Sequence, residues 1–356
     1  MSFIHIQNVK LKGLSACAPE RVVTNTDDIV RSVNYNAESF VKSTGVGKRH
    51  LSDHLTTSDL CYKAAEKLLT EMGWERKSID ALIFVSQSPD YLLPATSCIL
   101  QDRLQLSKDC FCEDVSMGCS GWIYGLSTLS SLLSTGEMKR GLLLVGDAKK
   151  QYPADDPLFG YAGCVTAVEY EKDNEGFYFN FGTDGSGYDD IILPEGGSRM
   201  GLSPSSFRTE HINGKDYSRL ETRMKGMEVF LFATSAAPRS VKRLYEKYGK
   251  DMATMEYLVL HQSNLKMLTL IRTMLRLPVE KVPISLDEYG NTSSASIPMT
   301  IVSRLGDKRN SGSHSIACCG FGVGLSWGSV LMTVDNLVLP DVLTMKEEEA
   351  DTKHLA

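Results

Sequence analysis

Asp114-Val115-Ser116-Met117-Gly118-Cys119-Ser120-Gly121-Trp122 is the stretch around which the rest of this chain is organised. Residues 110–115 have the length of a short strand, and residues 119–133 have apolar side chains at three- and four-residue steps, as a helix does. The thiol of Cys119 is therefore predicted at a strand-to-helix turn, where unpaired N–H groups and the helix dipole stabilise a thiolate. A nucleophile is one interpretation, and a buried cysteine that packs as a small hydrophobe is the other.

The composition is that of a globular protein. Hydrophobic residues make up 42% and charged residues 23% of 356 residues, a length that suffices for two domains or one large duplicated one. The net charge is -6, so the chain has no excess of basic residues, and nucleic acid and anionic membrane surfaces are not expected as partners. We find no signal peptide and no run of about eighteen apolar residues that would span a membrane. With nine cysteines, these features predict reduced thiols and a cytoplasmic location.

Strand and helix patterns alternate through most of the chain. Residues 9–17 fit a first strand, the continuous apolar run 81–85 fits a strand buried on both faces, and the periodic segment 58–72 between them fits a helix. This alternation predicts an α/β fold with a parallel-rich sheet. Residues 183–217, rich in Gly, Ser and Pro, are predicted to form a long surface excursion, and residues 341–356 a disordered, charged tail.

An internal repeat is visible at a spacing of 176 residues. Gly73 ends one apolar helix and Gly249 ends another, and 249 minus 73 is 176. Seven positions after each glycine, Asp80 and Glu256 stand directly before an apolar strand, again 176 apart. This order of helix, glycine and strand predicts two duplicated halves, so a site between them would draw residues from both.

Three further stretches carry side chains suited to chemistry. His261-Gln262-Ser263-Asn264 begins at the carboxyl end of a predicted buried strand, where open α/β sheets bind ligands, although a histidine there can also cap the next helix. In the loop Tyr289-Gly290-Asn291-Thr292-Ser293-Ser294-Ala295-Ser296-Ile297-Pro298, Asn291 is either a functional amide or a turn residue. Gly320-Phe321-Gly322-Val323-Gly324 follows an apolar strand, so its backbone N–H groups can face a ligand.

Together the four stretches resemble the β-ketoacyl-acyl-carrier-protein synthase III family of thiolase-like condensing enzymes. They stand in the family's order: the cysteine turn, His-Gln-x-Asn, Gly-Asn-Thr-Ser-x-Ala-Ser-x-Pro, and Phe-Gly-x-Gly-x-x-Trp-Gly at 321–328. The resemblance covers residues 10–334 and implies a thiolase-like fold, in which two duplicated α/β halves pack as a layered αβαβα structure. Residues 1–175 would form the half that carries the cysteine, and residues 176–340 the half that carries the histidine and asparagine.

The resemblance implies a catalytic triad of Cys119, His261 and Asn291. A thiolate takes the acyl group from a thioester and holds it as a new thioester. The imidazole N–H and the side-chain amide are neutral donors that stabilise the enolate left when a malonyl thioester loses carbon dioxide. The oxyanion hole of the acyl step would consist of the backbone N–H groups of Cys119 and Val323.

The resemblance also implies partners. Members form homodimers, in which Leu93 would close the partner's acyl pocket. Lys266 matches a basic position that meets the acidic acyl carrier protein. The substrate would be an acyl thioester on this carrier or on CoA, and no cofactor is expected.

Several positions depart from the family's pattern. Tyr161 replaces the aspartate of the usual Gly-Asp-Gly-Ala. The positions at which members hold CoA with a tryptophan and an arginine read about Ser39 and Ser43, and a second CoA-binding arginine would fall near Asp155 or Asp156. Because these stacking and cationic anchors are missing, we expect the primer to arrive on a carrier protein rather than as acetyl-CoA.

Three other functions remain as alternatives. An acyltransferase on the same fold would move the acyl group to a hydroxyl or amine without forming a carbon–carbon bond. A cysteine hydrolase also uses Cys, His and Asn, but the duplicated buried strands and the four ordered motifs argue against it. A non-catalytic scaffold is disfavoured by the intact triad.

Overall fold

The computed structural model describes residues 2–26, 36–148, 156–212, 215–306 and 312–351. Within these residues the strands are β1 (Ser2–Ile6), β2 (Val9–Pro19), β3 (Val22–Thr24), β4 (Lys48–His50), β5 (Ala81–Val85), β6 (Phe111–Val115), β7 (Arg140–Asp147), β8 (Ala162–Tyr170), β9 (Phe177–Thr183), β10 (Ile191–Ile192), β11 (Thr209–Ile212), β12 (Lys215–Ser218), β13 (Arg223–Met224), β14 (Tyr257–Leu260), β15 (His314–Gly322), β16 (Ser326–Val334) and β17 (Leu343–Met345). The helices are α1 (Ala37–Thr44), α2 (Thr57–Met72), α3 (Thr96–Arg103), α4 (Gly121–Leu133), α5 (Gly226–Tyr248), α6 (Leu265–Met274), α7 (Leu286–Tyr289) and α8 (Ser296–Leu305).

Two large sheets repeat one topology. The first has the spatial order β17-β2-β8-β7-β5-β6, and the second has the order β1-β9-β16-β15-β14. In the first sheet, β2 and β8, and β8 and β7, are antiparallel, whereas β7 and β5 are parallel. In the second sheet, β9-β16-β15-β14 repeats the same sequence of pairings. The duplication predicted from the sequence is therefore visible strand by strand.

The acidic residues of the repeat have the same structural role in both halves. The backbone N–H of Asp80 donates to the Arg140 carbonyl at 2.8 Å, and that of Glu256 donates to the Ser315 carbonyl at 3.0 Å. The Asp80 carboxylate accepts from the Arg140 N–H at 3.2 Å, and the Glu256 carboxylate accepts from the Ser315 N–H at 3.4 Å. Each acid thus ties the start of its strand to the neighbouring parallel strand.

Helices α4 and α8 lie between the two sheets and share one apolar core with strands of both. On α4 the side chains of Trp122, Ile123, Leu126 and Leu129 are all fully buried, so the apolar face of this helix lies in the core between the sheets. Helices α2 and α3 pack with the outer face of the first sheet, and α5 and α6 with that of the second. The order of layers is αβαβα, which confirms the predicted thiolase-like fold class.

The first strand of the chain belongs to the second sheet, and the last strand belongs to the first sheet. Strand β1 pairs with β9 in the second sheet, and β17 pairs with β2 in the first. Met345 on β17 is buried, and the Glu347 carboxylate accepts hydrogen bonds from the backbone N–H groups of Asp53 and His54, both at 3.0 Å. The prediction of a disordered tail is thereby corrected for residues 343–351, because hydrogen bonds that composition does not reveal hold this segment. Residues 352–356 lie outside the described residues.

Two other segments differ in detail from the sequence-based expectation. Helix α4 begins at Gly121, two residues later than predicted, because a tight turn with a 2.7 Å hydrogen bond from the Gly121 N–H to the Gly118 carbonyl precedes it. The excursion predicted at 183–217 contains strand β11, which pairs antiparallel with β12 at its end, and strand β10, which pairs with β13 further along the chain.

Candidate active site

Cys119 lies in the turn between β6 and α4, immediately before the Ser120 N-cap, and is half-buried. The end of β15 packs directly against this turn. A Cβ atom placed on Gly322 would lie 2.6 Å from Cys119 Cβ and 2.9 Å from its Sγ, so only glycine leaves room for the thiol. A Cβ on Gly320 would lie 3.0 Å from the Cys119 carbonyl oxygen. The second half of the chain therefore forms one wall of the cysteine's surroundings.

Val323, the predicted second donor of the oxyanion hole, follows Gly322 and is linked to the cysteine turn. Its carbonyl accepts from the Ser326 hydroxyl at 3.0 Å, and that hydroxyl lies 2.7 Å from the Ser120 Oγ. Ser120 is adjacent to Cys119. These hydrogen bonds hold the backbone of Val323 beside that of the cysteine, an arrangement compatible with two N–H groups meeting one oxyanion.

His261 follows β14 and is almost completely buried. Its backbone N–H donates to the Cys319 carbonyl at 2.9 Å, and its ring packs edge-to-face on Phe321 with 5.5 Å between centroids. The ring Nδ1 lies 2.7 Å from the Ser296 hydroxyl. Burial lowers the pKa of His261 from 6.5 to about 3, partly opposed by a hydrogen bond to the backbone of Ser293. The imidazole is therefore neutral near pH 7.

Asn291 lies in the loop after α7 and is held by its backbone and its side chain. Its N–H donates to the Leu158 carbonyl at 2.9 Å, and its carbonyl accepts from the Gly160 N–H at 3.2 Å. Its side-chain Oδ1 accepts from the Ser293 N–H at 2.9 Å. Within the described part of the chain its Nδ2 makes no hydrogen bond. The amide is thus oriented by its oxygen and has its donor group available for a ligand.

Ser293 connects the histidine and the asparagine. Its backbone N–H donates to the Asn291 side-chain Oδ1, and its backbone lies close enough to the buried His261 to oppose in part the fall in the pKa of that ring. The φ angle of Ser293 is +53°, a left-handed conformation that few non-glycine residues adopt and that often marks a functional loop. Ser293 and Ser296 belong to the loop motif of residues 289–298, but nothing in their spacing along the sequence predicts that they lie near His261.

Arg49 belongs to a stretch, Arg49-His50, that also resembles the family, but its sequence position alone predicts no role for it. It is fully buried, and its Nε donates to Asn25 Oδ1 at 2.7 Å. The Asn25 amide in turn donates to the Pro157 carbonyl at 2.8 Å. Next along the chain, Gly160 packs so closely on the Tyr289 carbonyl that a Cβ would lie 2.1 Å from its oxygen. This buried network positions residues 157–160, the segment to which the Asn291 backbone is hydrogen-bonded.

The remaining predicted residues lie on the surface. Leu93 is 82% exposed and does not line the buried site of its own chain. Lys266 is exposed on the first turn of α6, five residues after His261. Among the described residues no cluster of three or more His, Cys, Asp or Glu side chains could hold a metal ion. No helix within the described ranges is long and apolar enough to cross a membrane.

The predicted CoA-binding positions carry no cationic or stacking group. On α1, Ser39 is exposed, and the Ser43 hydroxyl donates to the Phe40 carbonyl of its own helix at 3.0 Å. The Asp156 carboxylate accepts from the Leu158 N–H at 2.9 Å. Asp155 lies outside the described residues. Tyr161, at the position of the family's aspartate, donates its backbone N–H to the His50 carbonyl at 2.9 Å.

Comparison with known proteins gives the family. The model described as "3-Oxoacyl-[acyl-carrier-protein (ACP)] synthase III" matches residues 113–185, and the model of its C-terminal part matches residues 245–334. A putative 3-oxoacyl-[acyl-carrier-protein] synthase 3 from Campylobacter jejuni is 31% identical over 352 residues, which are 96% of this chain and 98% of the relative. The chain belongs to the β-ketoacyl-acyl-carrier-protein synthase III family.

Other members of the synthase III family agree in sequence and structure. The β-ketoacyl-[acyl-carrier-protein] synthase III of Streptococcus sanguinis is 32% identical over 332 residues, covering 91% of this chain and 99% of the relative. A crystal structure of a 3-oxoacyl-(acyl-carrier protein) synthase from Burkholderia xenovorans superposes with a TM-score of 0.90 at 37% identity, covering 97% of this chain and 99% of that one. As a synthase III, the chain is a condensing enzyme that performs decarboxylative Claisen condensation in acyl-chain biosynthesis.

Proposed function

We propose that the chain joins an acyl primer to a malonyl-type extender on an acyl carrier protein through an acyl-Cys119 intermediate. The observation that supports this most strongly is that the site holds two neutral side chains that can donate: a buried, neutral imidazole at His261, and the Asn291 amide, whose Oδ1 is held by the Ser293 N–H. Two neutral donors suit an enolate, whereas a carboxylate in place of Asn291 would repel it. The enzyme would be an acyltransferase of the synthase III type that works without a cofactor.

In the first step the Cys119 thiolate attacks the carbonyl carbon of the primer thioester. The new carbon–sulfur bond forms as the carrier's thiolate leaves, so one thioester replaces another of similar energy. Backbone N–H groups of Cys119 and Val323 would stabilise the oxyanion of this step. The closeness of Gly322 to the cysteine, and the Ser120–Ser326–Val323 hydrogen bonds, support that placement.

In the second step a malonyl thioester loses carbon dioxide, and the electrons of the broken carbon–carbon bond form an enolate. The imidazole of His261 and the Nδ2 group of Asn291 would donate hydrogen bonds to its oxygen. The enolate carbon then attacks the acyl carbonyl, and the Cys119 thiolate leaves. Because the pKa of His261 is held at about 3, the imidazole acts here as a neutral hydrogen-bond donor.

We propose that the primer arrives on a carrier protein. Ser39, Ser43 and Asp156 offer neither a ring for adenine nor a cation for the CoA phosphates. A charge-assisted hydrogen bond contributes roughly 1.5–3 kcal/mol, so two missing arginines should weaken CoA binding by more than tenfold. Lys266 is exposed and forms no ion pair within the described part of the chain, so it is available to an acidic carrier protein.

We also propose a homodimer in the cytoplasm. Leu92 and Leu93 are 94% and 82% exposed, an unusual state for adjacent leucines that burial against a second subunit would explain. None of the nine cysteines forms a disulfide, which fits a reducing compartment.

One comparison tests the carrier preference. A single acyl chain is supplied on an acyl carrier protein and on CoA, and kcat/KM for acylation of Cys119 is measured for each. We expect the carrier protein to be preferred, and Lys266→Glu to weaken only the carrier reaction. The control is Lys172→Glu, an exposed lysine in the turn between β8 and β9. A clear preference for acetyl-CoA would contradict the proposal.

A further inference from the structure

Gln87 stands at the same edge of the first sheet as Cys119. It comes two residues after Val85, the last residue of β5, and the Ser86 N–H donates to the carbonyl of Val115 at the end of β6 at 3.3 Å. Since β5 and β6 are parallel, the residues that follow both strands lie at one carboxyl edge, where α/β sheets bind their ligands.

The Gln87 side chain touches the turn that carries the nucleophile. A Cβ atom on Gly118 would lie 2.6 Å from Gln87 Oε1 and 3.4 Å from Val323 Cγ2. The amide therefore lies against the residue before Cys119, next to the side chain of the predicted oxyanion-hole residue. An acyl group held on Cys119 would have this amide as a neighbour.

The backbone of Gln87 is held by a hydrogen bond, whereas its side-chain amide makes none within the described residues. Asp147 Oδ1 accepts from the Gln87 N–H at 2.8 Å and from the Ser86 hydroxyl at 3.0 Å. The Ser86 Oγ also accepts from the Ser88 N–H at 2.9 Å. Within the described part of the chain the half-buried Gln87 amide itself forms no hydrogen bond. Buried polar groups in native proteins are hydrogen-bonded, so an acyl chain that displaces water from this amide has to supply its partner.

We propose that Gln87 is a specificity-determining residue whose amide binds a hydroxyl or oxo group on the first few carbons of the acyl primer. The proposal rests on the proposed function, because it needs an acyl group on Cys119. An amide offers two N–H donors and one carbonyl acceptor, so a hydroxyl group matches both kinds and an oxo group matches the donors. An unsubstituted chain would cover the amide and leave it unpaired, which disfavours that primer.

The test measures kcat/KM for acylation of Cys119 with three primers of equal length on one carrier: unsubstituted, 3-hydroxyacyl and 3-oxoacyl. We expect the wild type to prefer an oxygenated primer by about five- to tenfold, the worth of one hydrogen bond. Gln87→Met keeps the side chain's length and removes its hydrogen bonds, so the preference should vanish. Gln87→Glu keeps acceptors only and should retain the preference for a hydroxyl but lose that for an oxo group.

The matched control is Gln101→Met, since the Gln101 amide donates to the Leu106 and Ser107 carbonyls just after the end of α3. This variant should keep the wild-type preference. If wild type and Gln87→Met acylate with the same selectivity, or if the wild type prefers the unsubstituted chain, the inference about Gln87 is wrong while the proposed function stands. If no primer of any kind acylates wild-type Cys119, the proposed function fails and the inference fails with it.

Discussion

His261 can serve as the proposed donor only while its imidazole is neutral. Burial lowers the pKa of this side chain from 6.5 to about 3, and the hydrogen bond to Ser293 opposes the shift only in part. Between pH 5 and pH 8 the folded protein therefore holds a neutral ring. The unfolded chain, by contrast, takes up a proton on this histidine as the pH falls through 6.5.

This difference predicts a loss of stability in mild acid. The contribution of neutral His261 is fully present above pH 6.5 and is lost as the pH falls toward 3, because only the unfolded state binds the proton in that window. The free energy of unfolding should fall by about 2 kcal/mol between pH 7 and pH 5 through this residue. Urea unfolding at both pH values, for wild type and for His261→Gln, measures it. An equal pH-dependent loss in the two proteins would show that His261 is not buried in its neutral form.

At the scale of elements, the end of β15 and the start of α4 fit together only because Gly322 lacks a side chain. Its φ of 163° is an extended conformation that any residue adopts, so the constraint is contact and not backbone strain. An added methyl group would meet the Cys119 Sγ at 2.9 Å. A side chain at position 322 would therefore crowd the thiol of the nucleophile itself.

Gly322→Ala should slow the acylation of Cys119 by at least tenfold. Overpacking of this kind costs about 1–3 kcal/mol, which lowers stability moderately without unfolding the protein. The rate of acyl-enzyme formation by intact mass, together with the Tm, measures both effects. Gly185→Ala is the control, because a Cβ there would meet nothing within 4 Å. Acylation of Gly322→Ala at the wild-type rate would contradict the close packing seen around the thiol.

The elements that the sequence predicts well are those with a local pattern. The spacing of 176 residues predicts that β5 and β14 are equivalent strands of the two halves. The order of the motifs predicts that Cys119 and His261 follow strands of different sheets. Contacts between distant residues leave no such pattern. The hydrogen bond between the His261 ring and the Ser296 hydroxyl, and the position of Gln87 beside Gly118, depend on how loops from both halves meet, which periodicity does not encode.

At the scale of the whole molecule, the C-terminal segment completes the first sheet. The Val338 N–H donates to the Lys12 carbonyl at 3.0 Å, and β17 then pairs with the end of β2. Glu349 forms an ion pair with Lys63 of α2 at 2.6 Å. Without this segment β2 would present an open edge that can pair with other chains. This strand was not predicted because it is only three residues long and is followed directly by the charged residues 346–349.

Truncation tests the role of this segment. A chain that ends at Val334 should unfold at a lower temperature and associate through the exposed edge of β2. A chain that ends at Asp351 retains β17 and its contacts, so it should behave as the wild type and serves as the control. Thermal unfolding and light scattering measure the two effects. An unchanged Tm without association in the shorter chain would show that β17 contributes nothing to the first sheet.

The division into halves at residue 175, in the turn between β8 and β9, stays a prediction.

The central claim is that an acyl group on Cys119 is consumed by decarboxylative condensation. The most direct measurement is peptide-level mass spectrometry of the enzyme acylated by an acyl carrier protein, before and after addition of a malonyl carrier protein. We expect the adduct on Cys119, its disappearance with release of carbon dioxide, and a product longer by two carbons. In Asn291→Ala the adduct should form but persist, since losing such a donor slows the reaction on the order of a hundred- to a thousand-fold. An adduct on another cysteine, or discharge of the acyl group to an alcohol or amine without release of carbon dioxide, would contradict the account.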